Sequence, residues 1–220
     1  WNPTARDVAA FKKVHAQREY GFRPEENRMV FLDELEKAIF FFDDALVSSG
    51  RRNPAWGTTA FTLIGLPDKE HPGAWSETYK EKIDKAKEEA KRYQTIREGV
   101  LAAERNALRN RYTLKVYEQT NNLQNYPVRL ILALNEYDTA KDEAGRKAAQ
   151  VKIREVCDYF KVMRKNLESV YSETRFMQQP EGFIADMNHH NHLASKTDNS
   201  DWLYLYEIPM MKKVLQWIKE

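Results

Sequence analysis

The pattern of apolar positions is helical along most of the chain, and it is most regular between Gly145 and Phe176. Ala149, Ile153, Val156, Phe160, Met163, Leu167, Val170 and Thr174 recur at steps of four and three, the spacing of one buried helix face. Lys147, Lys152, Arg154, Asp158, Lys161, Arg164, Lys165 and Glu168 fall mostly between them, on the solvent side. Such a helix draws its stability from tertiary packing, so it predicts partners elsewhere in the chain.

Those partners are legible in order. Thr4 to Asp7 has capping-box character and predicts a helix with Val8, Phe11 and Val14 or His15 facing inward, closed by Gly21. Pro24 reopens the pattern with Glu25 and Glu26 in a first turn. Leu32, Leu35, Ile39, Phe42 and Leu46 then form one stripe beside another of Phe31, Ala38, Phe41 and Ala45. So wide an apolar surface predicts a helix contacted from more than one side, ended by Ser48-Ser49-Gly50. Glycine and proline punctuate residues 50–75, yet Trp56, Phe61, Leu63, Ile64 and Leu66 lie among them. This predicts an ordered loop laid over apolar surface, with a short strand near Thr59 to Ile64.

Ser76 can cap the next helix, in which Tyr79, Ile83, Ala86, Ala90 and Tyr93 share a face. Gly99 interrupts that pattern before Leu101, Leu108, Leu114 and Tyr117 continue it, as one kinked helix or two in succession. Asn121-Asn122 and Asn125-Tyr126-Pro127 read as a break or a helix entry, and Leu130, Leu134 and Tyr137 as a short helix. After Phe176 come a polar, histidine-bearing stretch and the aromatic run Trp202 to Tyr206. Pro209 then opens a last helix with Val214, Trp217 and Ile218 inward. The fold expected is all-α: an antiparallel multi-helix bundle of roughly six or seven helices, with a long ordered loop and an irregular aromatic C-terminal tail. It reads as a single helical domain over 1–220, with 177–220 as tail and final helix.

Composition narrows the function. Apolar residues make up 42% of the chain and charged residues 31%, which suits a packed core under solvated helix faces. The net charge is +2 with both signs interspersed, so no basic stripe points to nucleic acid. No apolar run approaches the roughly 20 residues of a membrane span. The lone Cys157 allows no internal disulfide or thiolate cluster and reads as a packed side chain. The chain opens on Trp1-Asn2-Pro3 rather than Met, which suggests a removed leader or, preferably, a piece of a longer protein.

His189, His190 and His192 form the sharpest cluster of chemistry. Three histidines in one loop seldom converge on one ion without a distant fourth group, so they read as interface or loop-anchoring residues, with no metal and no cofactor implied. Asp186 and Asp201 flank them at a spacing that also suits turn-forming aspartates. No phosphate-binding glycine loop and no nucleophile elbow is present.

Two segments resemble a known family. Trp1-Asn2-Pro3, with Asp7 and Glu19-Tyr20-Gly21 after it, resembles the end of the (β/α)8 barrel in N-acetylhexosaminidases of the glycoside hydrolase family 20 type. Pro180-Glu181-Gly182-Phe183, Asn188-His189-His190, His192-Leu193, Ser200-Asp201-Trp202 and Glu207-Ile208-Pro209-Met210 resemble the close of the helical C-terminal domain that succeeds the barrel in some bacterial members. The resemblance implies that residues 1–21 can be the barrel's last helix. It also implies that the catalytic Asp-Glu pair lies upstream of Trp1, and that Trp1 lines the sugar pocket.

No match to that pair occurs here, so no catalytic residue is assigned. On this reading the chain is an accessory domain of a glycosidase acting on terminal N-acetylhexosamine. It is inactive alone, periplasmic or secreted, and partnered by the upstream barrel and, through it, by glycan. His189, His190, His192, Trp202, Tyr204 and Tyr206 would fold back near Trp1 to meet the barrel. The rival reading is a glycan- or protein-binding module using the 50–73 loop and the 183–206 tail; a free-standing enzyme built on Asp186, Asp201 and the histidines is a third.

Overall fold

A computed structural model describes residues 7–23, 28–38, 43–53, 58–174 and 207–219. Within them the chain is mostly helical, as expected. Three long helices form its frame: α5 (Lys80–Asn106), α6 (Arg111–Asp138) and α7 (Glu143–Ser172), each antiparallel to the next. Around the frame stand α1 (Val8–Tyr20), α2 (Phe31–Leu35), α3 (Asp43–Leu46), α4 (Ala74–Thr78) and α8 (Glu207–Trp217). One antiparallel hairpin, β1 (Val47–Asn53) and β2 (Thr58–Leu63), completes the described elements.

The helix with the clearest pattern packs as its spacing requires. Ala149, Ile153, Val156, Phe160, Met163, Leu167 and Val170 are all buried on one face of α7, with Cys157 beside them. The Phe160 ring lies 4.5 Å from that of Tyr126 on α6. Asp142 receives the Gly145 N–H at 2.7 Å, so the helix opens at Glu143, two residues before the expected start.

Four local expectations are corrected. First, Asn121 to Pro127 is no break: α6 runs unbroken through Pro127, which is buried. Proline costs a helix one N–H bond and a steric conflict with the preceding turn; here packing on both flanks holds the helix through it. Second, the chain takes the expected alternative of two helices in succession, but Gly99 does not end α5. The helix runs on to Asn106, and the real break is Ala107 to Asn110, where Asn110 takes the left-handed conformation (φ 51°). Leu108, expected to continue the apolar stripe, sits in that break and is exposed.

Third, the double-striped segment after Pro24 is not one helix but contains the short α2 and α3, and the chain enters β1 at Val47, ahead of the expected stop at Ser48-Ser49-Gly50. The breadth of its apolar surface was nonetheless informative. Phe31 and Ala38 enter one hydrophobic cluster, while Ala45 and Leu46 enter the other. Fourth, the short strand expected near Thr59 to Ile64 is present as β2, but it is paired with β1 in a hairpin rather than lying alone in a loop. A bulge at Ser48 lets its hydroxyl donate to the Thr62 and Leu63 carbonyls at 3.1 and 3.3 Å.

Beyond the hairpin the chain is ordered, as expected. Ile64 is buried, Trp75 Nε1 donates to the Gly65 carbonyl at 2.8 Å, and the Gly65 N–H donates to the Tyr79 hydroxyl at 2.8 Å. Gly73, rather than Ser76, is the residue at the head of α4; the Ser76 N–H donates to the Asp138 carboxylate at 2.8 Å. At the far end Lys213 on α8 donates to the Ile64 carbonyl at 2.8 Å, and Trp217 meets Tyr137 edge-on at 4.8 Å.

The larger hydrophobic cluster joins α6, α7, α8, the hairpin and the first turns of α5; the smaller joins α1, α2, the second half of α5 and the start of α6. A polar layer lies between them. Glu89, only 5% exposed, pairs with Arg92 and with Lys85 (3.6 Å), and Arg92 reaches Glu34 at 3.2 Å. Asn121 donates to the Tyr93 carbonyl at 3.2 Å and Gln124 to the Ala38 carbonyl at 3.0 Å. A void of about 10 Å³ lies among these side chains, room for one water.

Candidate functional site

Trp1, Asp186, His189, His190, His192, Asp201, Trp202, Tyr204 and Tyr206 all lie outside the described residues, as does the meeting of tail and Trp1 expected from the sequence. Among the described residues, no group of three or more His, Cys, Asp or Glu side chains is placed to hold a metal ion. No described helix is long and apolar enough to cross a membrane.

The feature that stands out is α1, whose inward and outward faces are the reverse of those expected. Val8, Phe11 and Val14 are exposed at 58%, 69% and 44%, while the residues that bury the helix are Ala16 and Tyr20. The reason is local. Asp7, not Thr4, is the N-cap, accepting the Ala10 N–H at 3.0 Å, and Gly21 closes the helix in the left-handed conformation (φ 74°).

Just past that cap the chain is fastened to the α5–α6 break. Leu108 N–H donates to the Tyr20 carbonyl at 2.9 Å, and Arg109 donates to the carbonyls of Arg18 (2.8 Å) and Gln17 (3.2 Å). A guanidinium on the last carbonyls of a helix satisfies both their hydrogen bonds and the dipole. Tyr20 stacks on Phe22 at 5.5 Å, inside the smaller cluster. The helix is therefore clamped at its C-terminal turn, while its N-terminal half leaves Val8, Phe11 and Val14 exposed.

That N-terminal half borders a shallow groove of about 150 Å³, walled by α1 and by the segment leading into α2. Phe11 stacks on His15 at 6.0 Å along one wall, and Met29 and Val30 form the other. Lys12 spans the groove to Asp33 and holds that carboxyl below its ordinary value through the hydrogen bond between them. The surface is thus apolar in its middle and charged at its rim, the anatomy of an interface. The sequence carried the signal, since Val8, Phe11 and Val14 recur at steps of three. It did not say which face of α1 met the bundle.

No protein-family model, no curated protein and no solved structure matches this chain.

Proposed function

We propose that the chain is a non-catalytic helical accessory domain that buttresses an upstream catalytic domain of the same polypeptide, docking through α1. The observation that carries this reading is the exposed stripe of Val8, Phe11 and Val14 on a helix whose C-terminal turn is clamped to the α5–α6 break. An apolar stripe that faces water in the isolated domain costs free energy unless something covers it, because each large apolar side chain gains about 1.5–3 kcal/mol on full burial. The last helix of a barrel has that property when the barrel is removed. The resemblance at the two ends of the chain supports naming the upstream domain a glycosidase of terminal N-acetylhexosamine; that part of the proposal rests on the resemblance alone.

Two experiments test the reading together. The isolated chain is expected not to hydrolyse an aryl N-acetylglucosaminide; turnover that vanishes on mutating Asp186 or Asp201 would overturn the accessory role. In the parent polypeptide, Phe11→Ser with Val14→Ser is expected to lower the temperature at which glycosidase activity is lost. The same pair leaves the melting of the isolated chain unchanged. An equal drop in both would mean the stripe belongs to the bundle's own core.

A further inference from the structure

A second shallow groove, of about 380 Å³, is lined by residues of α5, α6 and α7. Arg97 enters it from α5 and Arg129 from α6. Neither has an acidic residue three or four positions away on its own helix, the spacing at which helix charges pair. Among the described residues neither forms an ion pair. Arg92 and Arg164, on α5 and α7, show the contrast: Arg92 is held by Glu89 and Glu34, and Arg164 by Glu168 at 2.9 Å.

The Arg129 guanidinium is fixed over the Tyr159 ring of α7, 4.4 Å from its centroid. Asn122 lines the same groove; it accepts the Tyr93 hydroxyl at 3.1 Å and donates to Gln119 at 3.3 Å, so its amide is oriented before any ligand arrives. Among the described residues, Glu118 is the one carboxyl lining the groove. Burial first, and then the charge of Glu104, push it above its ordinary value against the opposing pull of Arg97.

We propose that this groove binds the phosphoryl group of a small phosphate ester, held by the Arg97 and Arg129 guanidiniums and the Asn122 amide. Two planar forks arriving from different helices can share the three terminal oxygens of a phosphoryl dianion, whereas a single carboxylate offers only two oxygens and one charge. The site is independent of the docking role of α1 and lies on a different face of α5 from the smaller cluster.

The test is a titration of the folded chain, monitoring the Nε–Hε NMR signals of its arginines. Inorganic phosphate and phenyl phosphate are the probes, with sodium acetate and sodium chloride at equal ionic strength as controls. Both phosphates are expected to shift Arg97 and Arg129 saturably, and the ester to bind at least as tightly as the free anion. Arg97→Gln, an exposed position that leaves the fold intact, should weaken phosphate binding by about ten-fold, the loss of one charge-assisted contact. Glu118→Gln should strengthen it by removing that carboxyl from the groove. Equal shifts with acetate or chloride, shifts that never saturate, or an affinity unchanged in Arg97→Gln would overturn the site. Binding of inorganic phosphate without the ester would overturn the class of ligand.

Discussion

The two hydrophobic clusters are built by different means. The larger is a meeting of long regular helices: Tyr126, Ile131 and Leu134 of α6 interlock with Ile153, Phe160 and Met163 of α7, every one of them almost wholly buried. The smaller is assembled from short pieces that are held by special geometry. Phe31 of α2 lies so near α5 that a Cβ placed on Gly99 would stand 2.7 Å from the Phe31 Cβ. The left-handed cap at Gly21 and the Arg109 clamp do the rest. Stability in the first comes from area and periodicity, and in the second from close approach and capping. Between them, the Glu89–Arg92–Glu34 layer fixes the position of α2 against α5.

This contrast can be broken at either end. Phe160→Ala should have the largest effect, a loss of about 3–5 kcal/mol in a urea titration. A loss below about 1 kcal/mol would mean that α7 does not bury the face described. Gly99→Ala comes next. It gains helix propensity worth up to about 1 kcal/mol but drives a methyl group into Phe31, so a net loss of about 1–2 kcal/mol is expected. Hydrogen exchange should place that loss in α2 and α5 and leave α7 protected; a stabilised variant would show that α2 does not approach α5 so closely.

Glu118→Gln tests a smaller, pH-dependent quantity. The native carboxyl titrates above its ordinary value of 4.5, because burial and Glu104 disfavour its charge. Native protein therefore holds a proton that the unfolded chain has released, and stability falls as pH rises from 4.5 through the raised value. The glutamine variant should be the more stable at neutral pH, and its advantage should vanish below the ordinary value. An advantage that persists in acid would assign the effect to something other than this charge. Smallest of all is Phe11→Ser, which should change the stability of the isolated chain by no more than about 0.5 kcal/mol.

The same contrast explains which elements were legible in the sequence. The buried face of α7 could be read residue by residue, because period alone decides which side of a long amphipathic helix is covered. The hairpin and the pieces α2 and α3 were less legible, since short apolar runs fit strand and helix equally well. Gly99 was visible as an interruption, but its meaning, a contact too close for any side chain, needed the position of Phe31. Pro127 misled for a similar reason: its local cost was plain, and the packing that outweighs it was not. In α1 two candidate faces competed. Phe11 and Val14 lost to Ala16 and Tyr20, because the cap at Gly21 and the clamp at Arg109 orient the helix from its end. The groove of Arg97 and Arg129 left only a faint trace in the sequence, two arginines without helical acid partners.

The central claim, that α1 carries an apolar face left free for docking, is tested most directly by hydroxyl-radical footprinting of the isolated chain at low micromolar concentration. Phe11 is 69% exposed, whereas Phe31 and Phe160 are 3% and 1% exposed. Phe11 should be oxidised nearly as fast as phenylalanine in an unstructured peptide, and the other two at least ten-fold more slowly, on the order expected for buried rings. Protection of Phe11 equal to that of Phe31 would contradict the account, because α1 would then pack on the bundle through the very face assigned to its partner.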